Sequence, residues 1–320
     1  MITLDWLYIL AGIIFAIWSV LSALDSTNGK GIGNAAFWGL LAVSFFFGGQ
    51  FSDLANGVLV LVLVAIAGFG QLGRSDPPTT NLVERAGFSE ALGNRLFLPA
   101  MIIPLTAVVG TILYNWTPLG ETGLFEERRE TLILFGVGVV LALGVCMVWL
   151  KPALLAPAEE GRRLIDSIGW AAILPQMLAA LGGVFALAGV GNIIGSLAGE
   201  VMPENSVFIA VVIFCLGMAL FTIIMGNAFA AFPVMAAAIG IPVLVQQFGG
   251  NPAVIGAVGM LAGFCGTLLT PMAANFNIVP AALLEMKDQY GVIRQQVGTA
   301  IPLWACNVLI IYFGGFLLWN

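Results

Sequence analysis

Nine apolar runs divide this 320-residue chain, at approximately 5–24, 33–50, 54–72, 97–115, 131–150, 169–190, 207–247, 253–285 and 299–319. About 20 apolar residues in helical form cross the hydrocarbon core of a bilayer. In lipid every backbone N–H needs an internal partner, so such runs are helices. Composition closes the alternative of a large soluble domain. Residues of the hydrophobic class make up 60% and charged residues only 9%. A soluble domain carries about 25% charged residues, enough to face water all round. The mean hydropathy of +1.04 agrees. The expected fold is an all-α polytopic membrane protein with about eight transmembrane spans, one re-entrant helical hairpin and one discontinuous helix, and the bilayer is its first partner. The net charge of −6 sits between the runs, and no basic tract offers a surface to nucleic acid.

Three polar stretches read as connectors: 73–96 with Pro77 and Pro78, 116–130 with the cluster from Glu126 to Glu130, and 151–168 with Lys151, Arg162 and Arg163. The part of 73–96 from about 81 is amphipathic and suits the cytoplasmic membrane surface. Basic residues favour the cytoplasmic side of a membrane. With the N-terminus outside, Lys30, Arg74, Arg85, Arg95, Lys151, Arg162, Arg163, Lys287 and Arg294 all fall inside, against Arg128 and Arg129 outside. Both termini are then outside, as is a loop over 191–206 with Glu200 and Glu204. The first run lacks a basic leader and is followed by Asp25, so it reads as a retained span. Residues 1–165 form a scaffold region of about five spans, in which Pro99 and Pro104 kink one helix. Residues 166–320 form a second region, in which Pro175 suggests another kink and paired glycines suggest close helix packing.

Two constellations in the second region carry chemistry. Gly226, Asn227 and Ala228 interrupt the run 207–247. As a hairpin tip they end one arm and begin another, and Asn227 is suited to cap the second arm. The amide end of a helix carries partial positive charge and suits an anion, while freed carbonyls suit a cation. The same residues also fit a tight turn between two full spans. Further on, Pro271 breaks the run 253–285, because proline lacks an N–H and clashes with the preceding turn. Thr267, Thr270, Asn275 and Asn277 gather at that break. Irregular backbone at membrane depth is tolerated where it is buried or lines a cavity. A plain proline kink satisfied by threonine is the other reading. Gln176 stands ready for either a ligand or a neighbouring helix.

Absences also decide. The chain has no histidine, which removes the commonest proton relay. Asp5, Asp166 and Glu285 stand near helix ends, where water is close, and no charged residue is expected deep in a span. Coupling to sodium, held by carbonyls, hydroxyls and amides, fits better than coupling to protons. No other metal and no cofactor is expected. No catalytic motif is present, so the chain does not read as an enzyme. Cys146, Cys215, Cys265 and Cys306 lie in apolar runs as small hydrophobes.

The Gly-Asn tip followed by a broken helix with Thr270, Pro271 and two asparagines resembles the ion-transporter superfamily of citrate, dicarboxylate and gluconate permeases. The resemblance covers about 165–320. At the tip only Asn227 matches that group's usual Ser-Asn-Thr. Within the superfamily the chain resembles a bacterial inner-membrane family that forms the larger subunit of two-component permeases linked to 5-oxoproline uptake. The resemblance implies a secondary, elevator-type carrier of a small carboxylate. Substrate would contact Gly226, Asn227, Ala228, Thr270, Asn275 and Asn277, and the coupling cation would contact Asn227, Thr267, Thr270 and Pro271. Such carriers have two hairpins and two broken helices. One set is legible here, so the resemblance implies a second, smaller membrane subunit that supplies the other. A non-transporting subunit that anchors a partner protein is the alternative.

Overall fold

The computed structural model describes residues 2–76, 82–201, 206–284 and 286–318. Pro77, Pro78, Glu204 and Glu285 lie outside them. Among the described residues, seven helical stretches are long and apolar enough to cross a membrane, and four shorter apolar helices accompany them. The chain is an all-α, multi-pass membrane protein. It divides into two compact units, Met1–Gly169 and Trp170–Asn320.

The first unit holds α1 (Asp5–Leu24), α2 (Gly31–Phe47), α3 (Asp53–Gly68), α4 (Leu82–Leu92), α5 (Phe97–Trp116), α6 (Glu130–Leu150) and α7 (Ala156–Ile168). Two helix starts in this unit are closed by nearby polar groups. Ser52 accepts from the amide of Ala55 at the start of α3. Glu126 reaches across from the α5–α6 connection to accept from the Leu4 amide at 2.9 Å, just before α1. α1 packs along α2 and α7, and α5 along α6. Glycine permits the last approach: a Cβ at Gly138 would lie 3.0 Å from the Ile103 carbonyl oxygen. The core of α2 is aromatic, with Phe37 and Trp38 fully buried and Phe15 of α1 stacked over Trp38 at 6.0 Å.

Two expectations fail in this unit, for one reason. The stretch 151–168 is not a bare connector. From Ala156 it is the helix α7, whose apolar face is too narrow to register as an apolar run. Gly161 lets α7 sit on the Trp18 ring, and the Trp18 indole donates to the Ala158 carbonyl at 3.1 Å. The opposite face carries Glu159, Glu160 and Arg163. Because α7 lies across α1 and α2, Asp166 is not at a watery helix end. It is 5% exposed and accepts from the Trp38 indole at 2.7 Å. Arg162, one turn earlier, is 4% exposed and bridges Asp25 at 2.7 Å and Glu159 at 2.9 Å. Nearby, Asn34 exchanges two hydrogen bonds with Gly73, donating at 2.6 Å and accepting at 2.8 Å.

The second unit holds α8 (Leu174–Leu187), α9 (Val190–Val201), α10 (Val207–Met225), α11 (Ala228–Met235), a π-helical continuation of α11 (Ala236–Gln247), α12 (Pro252–Thr267), α13 (Ala274–Leu283) and α14 (Gly291–Tyr312), which ends in a π turn to Leu317. Most of the expected span 169–190 lies in the apolar helical stretch Ala156–Phe185, whereas the expected loop 191–206 carries the helix α9 as far as Val201, parted from α8 at Gly189 with φ +70°. Val190, Ile193, Ile194 and Leu197 recur at helical spacing, so the sequence after Gly189 makes another amphipathic turn. Pro175 lies in the first turn of α8, where a missing N–H costs nothing. α9 packs on the returning arm: Cβ atoms at Gly191 and Gly195 would stand 3.1 and 2.9 Å from the carbonyls of Val234 and Ala238. The core of the unit is α10 against α12, where Gly259, Gly263 and Gly266 meet Phe214, Met218 and Ala219. Such small-residue faces let helices close up where lipid provides no hydrophobic drive.

Candidate functional site

α10 ends at Gly226, whose φ of +75° is the left-handed cap that only glycine adopts freely. Its amide donates back to the Thr222 carbonyl at 2.6 Å. Asn227 then starts α11 and accepts from the Phe229 amide at 2.8 Å. α10 has 19 residues and the returning arm, α11 with its π-helical continuation, has 20. Each is about 30 Å long, enough for either a full crossing or the arm of a deep hairpin.

α12 runs beside α10 and stops at Thr267. The six residues 268–273 are not helical, and α13 resumes at Ala274. The break sits against the tip. A Cβ on Gly226 would collide with the backbone carbonyl of Met272. The Thr270 hydroxyl donates to the Ile223 carbonyl at 2.9 Å and accepts from the Met272 amide at 3.2 Å. Asn277, fully buried, donates to the carbonyls of Thr267 and Thr270 at 2.8 and 2.7 Å. The Thr267 carbonyl closes the last turn of α12, where helical partners run out, and the Thr270 carbonyl, in the break, also accepts from the Ala273 amide at 3.3 Å. The Thr267 hydroxyl donates to Phe264 at 2.6 Å. The oxygen of Asn277 and the hydroxyl of Thr222 are buried without a hydrogen-bond partner. In α10 the Thr222 hydroxyl faces Gly263 of α12.

Tip and break therefore place two helix starts at one level. α11 runs back along α12, shown by Ala228 beside Gly263 and Phe232 beside Gly256. α13 runs the other way, continuing the course of α12 along α14. Their first turns flank Phe264, whose ring meets Phe229 of α11 at 5.4 Å and Phe276 of α13 at 6.4 Å. The amide ends of two short helices thus face each other, and each carries partial positive charge. The rim is open: Phe229, Met272 and Phe276 are exposed, as are Pro271 and Asn275.

Depth follows from α14. Leu303 joins Thr267, Leu268, Phe276 and Asn307 around a crevice of about 310 Å³. That level is about 14 Å along α14 from Arg294 and about 21 Å from Leu317, at 1.5 Å per residue. The break therefore stands within the apolar length of the helix.

The predicted residues divide. Gly226, Asn227, Ala228, Thr267, Thr270, Pro271 and Asn277 come together. Asn275 lies on the exposed face of the first turn of α13, apart from the buried asparagine. Gln176 makes no hydrogen bond among the described residues. Sequence reasoning missed Thr222, which looks like any threonine in an apolar helix, and Asn251. Asn251 caps α12 at 2.8 Å through Ala253 and donates its own amide to the Gly315 carbonyl. Asparagine just before Pro252 was the available signal.

A family profile described as a protein of unknown function (DUF979) matches residues 5–316. The chain belongs to the DUF979 family. The match spans both units, so the buried charges of α7 and the tip–break junction fall within one family domain. No curated protein and no solved structure matches the chain.

Proposed function

We propose that this DUF979 protein is one subunit of a secondary transporter that carries a small carboxylate across the bacterial inner membrane, with the tip–break junction as its half of the binding site. The observation that carries this reading is the meeting of the amide ends of α11 and α13 at membrane depth, with the rim left open. Two such ends favour an anion without any basic side chain. The unpartnered oxygens of Asn277 and Thr222 are the natural ligands for a sodium ion, alongside the main chain near Thr267 and Thr270. The resemblance to the ion-transporter superfamily supports 5-oxoproline as the first substrate to try and a smaller membrane subunit as the second half. On this reading the paired arms are a re-entrant hairpin that moves with the broken helix, and the protein is not an enzyme.

Proteoliposomes containing both subunits should accumulate labelled 5-oxoproline down an inward sodium gradient. Asn227→Ala should lower that uptake by about fivefold, the loss expected when a ligand-facing helix cap worth about 1 kcal/mol is removed. No uptake of any small carboxylate with both subunits present would overturn the proposal.

One observation favours the alternative of an anchoring subunit. Both amide hydrogens of Asn277 and the hydroxyl of Thr270 are spent on the main chain. If they serve assembly alone, Asn277→Ala will reduce recovery of the two-subunit complex and leave uptake per complex unchanged.

A further inference from the structure

In the first unit the starts of α1 and α6 are stitched together. The Ile2 amide donates to the Leu124 carbonyl at 2.6 Å, and the Ile2 carbonyl accepts from the Glu126 amide at 3.0 Å. The Glu126 carboxylate accepts from the Leu4 amide. Both helices therefore begin at one membrane surface and enter the bilayer in the same direction. They meet where Gly136 faces Leu7, whose methyl would lie 2.7 Å from a Cβ at Gly136. At that contact is an apolar crevice of about 230 Å³, with Trp6 and Leu10 on one wall and Ile133, Val137 and Leu141 on the other. From Ile133 to Leu141 it reaches about 12 Å along α6, at 1.5 Å per residue. Trp6, Val137 and Leu141 are exposed, so in a bilayer the crevice opens to lipid.

The mouth of the crevice carries charge of both signs. The Arg129 carbonyl accepts from the Ile133 amide, so Arg129 stands one turn above Ile133, on the face that continues through Gly136, Val137 and Val140. Glu130 heads the adjoining row, with Ile133, Val137 and Leu141. On α1, Thr3 heads the row of Trp6, Leu7 and Leu10, and its hydroxyl donates to Asp5 at 3.3 Å. Trp6, at the lip, is the residue type enriched at headgroup level. Arg129 is exposed and makes no ion pair among the described residues. Glu127 and Arg128 are exposed beside it. Two arginines thus stand among four carboxylates, those of Asp5, Glu126, Glu127 and Glu130. An apolar slot below such a mixed rim fits an amphiphile whose head carries both a phosphate and a cation. A head with negative charge alone would face the excess of carboxylates unpaired. Guanidinium holds phosphate through paired, charge-assisted hydrogen bonds. A primary ammonium brings three N–H donors to carboxylates, and a quaternary ammonium brings none.

We propose that the crevice between α1 and α6 is a binding site for phosphatidylethanolamine. One acyl chain lies in the slot, Arg129 holds the phosphate, and Glu130 and Asp5 hold the ammonium. The site belongs to the first unit and stands independently of any anion at the junction in the second.

The test is native mass spectrometry of the purified full chain in detergent, with phosphatidylethanolamine, phosphatidylglycerol and phosphatidylcholine of identical acyl chains added in equal amounts. One phosphatidylethanolamine should be retained per chain in preference to the other two. Arg129→Gln should weaken that retention about tenfold, the loss expected for a hydrogen bond to a charged group. Val137→Trp, which fills the slot from its exposed side, should abolish it. Both variants change exposed positions, and their thermal midpoints should match that of the wild-type protein. Equal retention of the three lipids, which is the behaviour of a non-specific lipid annulus, overturns the proposal. A preference for phosphatidylglycerol or phosphatidylcholine overturns it too, as does unchanged retention in either variant.

Discussion

Arg162 shows how much one side chain holds in place. It ties the end of α1 to α7 through Asp25, and the side chains of the pair are 4% and 9% exposed. The hydroxyl of Thr27 and, after it, the guanidinium of Arg162 hold the Asp25 carboxyl down to about 2, against the partial burial that opposes ionisation. A depressed carboxyl stabilises the fold fully above the ordinary value of about 4 and loses that contribution as pH falls through the folded value. The thermal midpoint of the purified protein should therefore drop between about pH 4 and pH 2, and Asp25→Asn should remove part of that drop. Arg162→Met should destabilise by about 3 kcal/mol, because it leaves buried acids without their partner. A midpoint unchanged at neutral pH would contradict the bridge. At this scale the sequence was legible where residues cluster locally. Thr267, Thr270 and Asn277 stand within one short stretch, and the structure joins them. Asp166 was read as a wetted helix end because its partners, Trp38, Asn34 and Ser75, come from distant parts of the chain.

Among the elements, the tip and the break depend on one close approach. Gly226 has both a left-handed backbone and the Met272 carbonyl against it, whereas Gly249, with φ +70°, has nothing within 4 Å of a Cβ. Alanine in a left-handed conformation costs roughly 1–2 kcal/mol. Gly249→Ala should show that strain alone, while Gly226→Ala should add the cost of pushing the break away and lower the unfolding midpoint further. Equal losses would mean that the tip and the break do not rest on each other. The long apolar helices were legible because their hydropathy is continuous, and Pro271 located the break. α7 and α9 were not, because an amphipathic helix of 12 or 13 residues averages out as loop. The π-helical course of the returning arm was not foreseen either. Pro233 and Pro242 lie in that arm, and a helix that lacks those amides accommodates them by local widening.

For the whole molecule, the distribution of basic residues and the helix order make a testable map. Alkaline phosphatase, which folds only outside, should be active when fused after Gly249 or at the C-terminus and inactive when fused after Gly73 or Asp288. Activity after Gly73 would reverse the orientation. The all-helical, multi-pass architecture was legible from the spacing of apolar runs alone. The sequence reading set a boundary between 165 and 166, and the two compact units part after Gly169; the fold of α7 onto the first unit is a contact that hydropathy does not encode. The junction of α11 and α13 has a consequence for any anion bound there. Its attraction comes from peptide dipoles, which neither gain nor lose protons. The chain has no histidine, and no acidic or basic side chain stands among the residues of the tip or the break. Affinity at the junction should stay flat with pH once the ligand is ionised, so a pH optimum in turnover would have to originate in another part of the molecule.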